Sequence, residues 1–186
     1  MDCAELGIVW CESPPADSVQ ELCNALARRG FHCGTPDNAP HAEAWVLVVR
    51  GGEDVVWTRL PRSVRDTSGR VLVVAISGKQ MGPQERWNLL AEGAADVLEW
   101  DSAENIAAVI AAKLERWQEV DRLVGSRLIA ENLVGRSRAW LALMRRVVEV
   151  AHFSEDSIVL IGETGTGKEL IARLIGTWYH HLTLLL

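Results

Sequence analysis

The sequence lacks any hydrophobic run long enough to cross a membrane. No stretch of its 186 residues approaches the ~20 consecutive apolar residues that a membrane-spanning helix needs. The N-terminus, Met-Asp-Cys-Ala-Glu, is acidic and has no apolar core of a secretory signal. Positive charge is not in excess either: the net charge is −6, which argues against a nucleic-acid-binding surface. We therefore expect a cytoplasmic protein with no membrane partner.

The cysteines lack the spacing of a metal site. None of the four forms a Cys-x-x-Cys pair, and all lie in the first third of the chain, at Cys3, Cys11, Cys23 and Cys33. Cys11 and Cys33 fall in or beside apolar runs. This pattern predicts reduced, mostly buried thiols rather than a zinc site.

Short apolar runs alternate with longer helical patterns over residues 1–115. The runs predict strands at 6–10, 31–33, 44–49, 71–75 and 96–98. The periodic segments predict helices at 16–29, at 83–91 and from 102 onward. Unbroken apolar runs of strand length are typical of the buried centre of a parallel sheet. The order predicts an α/β fold with a doubly wound, five-stranded parallel sheet in residues 1–115.

The helical pattern that begins at Ser102 continues past Trp117 and Val120 toward Leu128. Apolar residues recur there every three or four positions among charged ones. We predict a linker helix over 116–130. It either pairs with a second copy as a short coiled coil, giving a homodimer, or lies against its own domain.

A glycine-rich loop follows an apolar, β-branched run near the end of the chain. From Ser157 the sequence reads Ser-Ile-Val-Leu-Ile-Gly-Glu-Thr-Gly-Thr-Gly-Lys-Glu, and a helix-forming segment follows. A strand, Gly-x-x-x-x-Gly-Lys and then a helix is the order of a P-loop, whose backbone N–H groups and lysine surround phosphates. It predicts a nucleoside triphosphate as ligand, bound by Gly162, Glu163, Thr164, Gly165, Thr166, Gly167, Lys168 and Glu169.

The residue after the lysine departs from the usual motif. A Ser or Thr normally stands there and its hydroxyl holds Mg²⁺, whereas this chain has Glu169. A carboxylate is a hard oxygen donor that suits magnesium directly or through water. Glu169 is therefore the candidate metal ligand, and no residue is predicted to be catalytic.

Residues 131–175 resemble the start of the AAA+ domain of sigma-54-dependent transcriptional activators, the NtrC-like bacterial enhancer-binding proteins. The resemblance lies in Leu133-Val-Gly-Arg-Ser137 and in Val159-Leu-Ile-Gly-Glu-Thr-Gly-Thr-Gly-Lys-Glu-Leu-Ile-Ala-Arg173. That family characteristically carries Glu directly after the P-loop lysine. The resemblance implies ATP and Mg²⁺ as cofactors, Val134 and Gly135 near the adenine, a ring-shaped oligomer, and the sigma-54 RNA polymerase holoenzyme as partner.

The preceding domain is similar to the receiver module of two-component response regulators, chiefly through Gly93-Ala-Ala-Asp-Val-Leu98. Where the family's phosphoacceptor Asp stands, after the central strand, this chain has Arg50-Gly-Gly. An arginine cannot accept a phosphoryl group. We predict a degenerate receiver without a phosphoacceptor.

Other receiver groups are also replaced. The first strand is followed by one carboxylate, Glu12, rather than two, and Trp100-Asp101 stands where the family has Lys-Pro. The alternative is a shifted alignment in which Glu53 or Asp54 is the acceptor.

The family's downstream segments are not found after Arg173. The sequence contains no second acidic strand to polarise water, no Gly-Ala-Phe-Thr-Gly-Ala loop to contact sigma-54, no arginine-finger segment and no DNA-binding helix-turn-helix. We expect residues 131–186 to be an N-terminal fragment of a sigma-54-interaction AAA+ domain that binds ATP weakly and does not hydrolyse it alone. The alternative function is a stand-alone, receiver-like dimerisation or interaction module without ATPase activity.

Overall fold

The computed structural model describes residues 4–11, 16–39, 42–49, 60, 64, 70–76, 81–127, 129, 135, 137–154 and 157–178. The chain divides into two compact units, Met1–Leu114 and Glu115–Leu186. Each is described by itself below.

The first unit alternates strands and helices along the chain. Its described elements are β1 (Ala4–Cys11), α1 (Ala16–Ala27), β2 (Phe31–Gly34), β3 (Ala44–Val49), β4 (Val71–Ala75), α2 (Pro83–Glu92), β5 (Asp96–Glu99) and the start of α3 (Ala103–Val124). All strand pairs are parallel, in the order β2-β1-β3-β4-β5. Because the chain leaves β1 first to one side and then to the other, this is the doubly wound, flavodoxin-like order. The predicted five-stranded parallel sheet is confirmed.

Both faces of the sheet are covered. Every residue of β3 is buried, as predicted for a central strand. On one face, Trp45 and Leu47 pack in a cluster with Leu89 of α2. Successive strand residues point to opposite faces, so the equally buried Val46 and Val48 face the other way. The sheet is therefore the middle layer of three.

The helices α1 and α3 share one side of the sheet. Arg28 and Arg29, in the turn after α1, form ion pairs of 2.8 and 2.7 Å with Glu104 in the first turn of α3. Surface ion pairs of this kind contribute little stability, but the contact fixes which helices are neighbours.

Local sequence signals set the bounds of α2. The N–H of Gly82 donates to Glu85 Oε2 at 2.8 Å, and Pro83 occupies the first turn, where its missing N–H costs nothing. The helix ends at Gly93, whose φ of 119° is a left-handed conformation that favours glycine. This stop directs the chain into β5.

The predicted linker helix over 116–130 is not a separate element. α3 continues without a break to Val124, and a turn follows at Gly125, whose N–H donates to Asp121 O at 2.8 Å. Val120 is only 2% exposed and belongs to the core of the second unit, with Leu123 and Val124 packed against it. The apolar side of this segment therefore packs within the second unit.

The second unit is built around α4 (Arg138–Phe153) and α5 (Lys168–Trp178), together with the end of α3. Its core contains Val120, Ile129, Met144, Val147, Val148, Ala151, Ile171, Leu174 and Ile175. Two ion pairs join α3 to α4, Arg116 to Glu149 at 3.0 Å and Asp121 to Arg145 at 2.8 Å.

Several predicted positions lie outside the described residues. They are Glu12, Arg50, Glu53, Asp54 and Val134. The absence of a phosphoacceptor therefore stays a prediction. Across the described part of the chain, none of the helices combines the length and apolar character that crossing a bilayer requires.

Candidate nucleotide-binding site

The helix α4 begins at a capped turn. Ser137 Oγ accepts a hydrogen bond from the N–H of Trp140 at 3.1 Å, which satisfies one of the free donors of the first turn. Gly135 lies against the same tryptophan: a Cβ on Gly135 would come within 2.4 Å of Trp140 Cδ1. The contact that the structure gives Gly135 is thus with Trp140, a residue that the sequence pattern did not single out.

The segment before the loop differs from the predicted strand. Ile158 and Leu160 are half-buried and pack against the core of the second unit, while Val159 and Ile161 are 78% and 92% exposed. This alternation has the period of a strand. However, the segment pairs with no other strand within the described part of the chain. A strand requires a neighbour to satisfy its backbone N–H and C=O groups.

The loop turns sharply at two glycines. Gly165 and Gly167 have φ values of 83° and 82°, which other residues adopt only with strain. Between them, Thr166 closes the turn: its hydroxyl donates to Glu163 O at 2.8 Å, and its N–H points to the same oxygen at 3.4 Å. The loop therefore has the curled backbone expected of a phosphate-binding turn.

The Lys168 side chain folds back into this loop. Its ammonium donates to Gly162 O at 2.8 Å and to Glu163 O, and lies 3.4 Å from Thr166 Oγ1. Among the described residues no carboxylate pairs with it; its partners are neutral oxygens. A Cβ on Gly162 would approach Thr166 Oγ1 to 3.1 Å and Lys168 Cδ to 3.7 Å, so the small residue leaves room for the lysine stem.

The helix α5 holds the loop in place. The N–H of Ile171 donates to Gly167 O at 3.2 Å, so the helix grows directly out of the loop. Ile171, Leu174 and Ile175 lie on one face and are buried with Met144 and Val148 of α4. The packed helix pair therefore fixes both the loop and the N-terminal end of α5, whose partial positive charge favours anions.

Glu169 lies in the first turn of α5 and is exposed. No group of three or more His, Cys, Asp or Glu side chains in the described ranges is close enough to hold a metal ion. Magnesium commonly takes one or two carboxylates together with phosphate oxygens and water. The position of Glu169 is compatible with that arrangement.

The sheet order and the loop with its helix define the class: a receiver-like α/β unit followed by a unit that carries a glycine-rich loop. Residues 133–182 match the family model of the sigma-54 interaction domain. The chain is 33% identical over 155 residues to the formate hydrogenlyase transcriptional activator FhlA of Escherichia coli (strain K12), covering 75% of this chain and 20% of that protein. It is 43% identical over 67 residues to the Nif-specific regulatory protein of Bradyrhizobium diazoefficiens, covering 34% of this chain and 11% of that protein.

These matches confirm the predicted resemblance to sigma-54-dependent transcriptional activators. The chain spans about a fifth of the length of FhlA. Among solved structures, NtrX from Brucella abortus aligns with a TM-score of 0.43 and 21% identity, covering 94% of this chain and 41% of that chain.

Proposed function

We propose that the chain is part of a sigma-54-dependent transcriptional regulator that binds ATP at residues 162–169 and carries a receiver-like unit that is not phosphorylated. It acts in the cytoplasm, and its partner is the sigma-54 RNA polymerase holoenzyme. The match of residues 133–182 to the sigma-54 interaction domain supports the choice of partner.

The geometry of Lys168 carries the proposal for ATP. Its ammonium lies within the curl of the loop, and its partners among the described residues are carbonyl and hydroxyl oxygens. A phosphate oxygen is a charged acceptor and makes a stronger hydrogen bond with an ammonium than a carbonyl does. The phosphate oxygens of a bound triphosphate would therefore replace the carbonyl oxygens as hydrogen-bond acceptors of Lys168. The partial positive charge at the N-terminal end of α5 would also attract the phosphates.

Glu169 is the magnesium ligand in this proposal. A carboxylate directly after the lysine is near enough in sequence to share a cation with the phosphates that the lysine binds. Magnesium would be held by Glu169, by phosphate oxygens and by water, because it retains much of its hydration shell.

The alternative function, a stand-alone dimerisation module, is less well supported. It needs a free apolar surface on the predicted linker, but Val120 lies in the core of the second unit, and Leu123 and Val124 are partly buried against that core. A homodimer through that surface would require this core to open.

Titration of the chain with Mg-ATP tests the proposal for the nucleotide. We expect weak, saturable binding with Kd on the order of 0.1–1 mM by calorimetry. ADP should compete, because it keeps a β-phosphate for Lys168. AMP should compete at least about tenfold less well, since it lacks both phosphates that the lysine takes. Equal competition by AMP, or no binding of ATP at millimolar concentration, would contradict a P-loop site.

Incubation with acetyl phosphate and Mg²⁺ tests the degenerate receiver. We expect no phosphoryl adduct, because Arg50 follows β3 at the position of the acceptor. Intact-mass spectrometry measures the adduct, and hydroxylamine, which cleaves acyl phosphates, separates an aspartyl product from a phosphoserine. A hydroxylamine-sensitive adduct at Glu53 or Asp54 would show that the shifted alignment is right.

A further inference from the structure

Two half-exposed cysteines meet at the edge of the first unit. Cys23 lies on α1 and Cys33 on β2, both are free thiols, and neither is fully buried. The side chains of the two residues interact with each other. Both thiols are partly buried, and nothing in the nucleotide-binding function uses them.

The chain path between the two residues explains the contact. After α1 ends at Ala27, the N–H of Arg29 donates to Leu26 O at 2.9 Å and the N–H of Gly30 to Ala27 O at 3.0 Å. Gly30 adopts a φ of 86°, and β2 begins at the next residue. The segment therefore reverses direction and brings β2 back alongside the helix.

Side-chain direction places both thiols in the space between the helix and the strand. Cys33 shares a strand face with the buried Phe31, two residues earlier. Cys23 stands beside Leu22 and Leu26, which are fully buried against the sheet. It therefore lies at the flank of the buried face of α1. β2 is the outermost strand among those described, and both cysteines keep some exposure to solvent.

We propose that Cys23 and Cys33 form an oxidant-sensitive dithiol, a modification site that closes into a disulfide between α1 and β2. The oxidant is a small hydroperoxide such as hydrogen peroxide, which is small enough to reach a partly buried thiol.

The two thiols have different acidities, which assigns their roles. The hydrogen bond from the Cys33 thiol lowers the pKa of Cys23, against the opposing effect of burial. The hydrogen bond to Cys23, burial and the charge of Cys23 together raise the pKa of Cys33. Since the thiolate is the nucleophile, Cys23 attacks first and Cys33 resolves.

The chemistry balances with peroxide as the oxidant. The Cys23 thiolate attacks one peroxide oxygen, the O–O bond breaks, and hydroxide leaves as water after taking a proton, which gives Cys23 sulfenic acid. The Cys33 sulfur then attacks the Cys23 sulfur, its proton joins the departing hydroxyl, and a second water leaves. Two thiols are oxidised by two electrons and one peroxide is reduced. The first step also removes the negative charge of Cys23, which is one of the effects that raise the pKa of Cys33.

The test uses the full chain with Cys3 and Cys11 changed to serine, so that only the proposed pair can react. Hydrogen peroxide is added under native conditions, and peptide mapping identifies the product. We expect loss of both titratable thiols, a mass lower by two hydrogen atoms, and a cross-linked peptide joining Cys23 to Cys33. Circular dichroism before oxidation establishes that each variant is folded.

Single variants on this background separate the two roles. In Cys33→Ser the reaction should stop at a Cys23 sulfenic acid that dimedone captures. In Cys23→Ser no intramolecular disulfide can form, and only burial still raises the pKa of Cys33, because the hydrogen bond to Cys23 and its charge are gone. Two thiols that survive peroxide in the folded double-serine protein would overturn the proposal.

Discussion

Replacing Lys168 by alanine is expected to lower the affinity for Mg-ATP by about 10- to 100-fold. A hydrogen bond to a charged group is worth about 1.5–3 kcal/mol, and each 1.4 kcal/mol corresponds to a factor of ten. The three oxygens that surround the ammonium in the structure are Gly162 O, Glu163 O and Thr166 Oγ1. None of them can replace its positive charge beside a triphosphate. The calorimetric titration that measures the wild-type chain also measures this variant.

Arg173→Ala is the matched control, because it removes the same charge from the same helix. Arg173 is exposed on α5, about one and a half turns beyond the loop. Its loss should change Kd less than about twofold, since charges separated by solvent interact weakly. Both variants keep the buried face formed by Ile171, Leu174 and Ile175, so their melting curves should match that of the wild type. Equal weakening by the two variants would mean that net charge, rather than the loop, attracts the nucleotide.

The sheet was the part of this molecule most open to prediction. Residues 44–49 and 71–75 are unbroken apolar runs, and the structure makes both of them strands with these same bounds. An unbroken apolar run of this length is typical of a strand that is buried on both faces of a parallel sheet, so the local sequence is enough to predict it. Helix ends were predictable where a residue with a strong positional preference occurs: Pro83 in the first turn of α2 and Gly93 at its C-terminal end.

Features that depend on a partner were less predictable. The run before the loop has the composition of a strand, but strand formation needs a second strand beside it, and the described residues supply none. The periodic pattern after Ser102 indicated a helix but not its neighbour; only packing shows that Val120 faces the core of the second unit. The contact of Gly135 with Trp140 likewise depends on how the chain enters α4.

The candidate site likewise has some features that the sequence predicts and others that depend on the three-dimensional structure. Positive φ at Gly165 and Gly167 follows from the motif, because a loop that curls around phosphate needs residues free to adopt it. The inward turn of Lys168 toward two backbone carbonyls is set by three-dimensional geometry, and no spacing in the sequence encodes it. The meeting of Cys23 and Cys33 similarly arises from the reversal at Gly30, across ten positions without a Cys-x-x-Cys signal.

Replacing Gly7 by alanine is expected to destabilise the first unit by about 3 kcal/mol. Gly7 of β1 pairs with Trp45 of β3, and the indole ring lies over it. A Cβ on Gly7 would come within 2.2 Å of Trp45 Cε3 and 2.3 Å of Cζ3, well inside contact distance. Trp45 is completely buried, in a cluster with Leu47 and Leu89, so the ring has no space into which it can move.

Thermal unfolding of the full chain, followed by circular dichroism, measures this effect. A loss of about 3 kcal/mol should lower the Tm of a unit of this size by about 10 °C or more. Gly82→Ala is the control in the same unit: its φ is −67°, and a Cβ there meets nothing closer than Glu85 Oε2 at 3.6 Å. Its Tm should fall by less than about 5 °C, since no steric conflict arises and alanine in place of glycine at the N-cap of α2 costs on the order of 0.5–1 kcal/mol. If the Tm of Gly7→Ala equals that of Gly82→Ala, the Trp45 indole can be displaced at little cost in free energy. The close packing of Trp45 on β1 would then not be what requires glycine at this position.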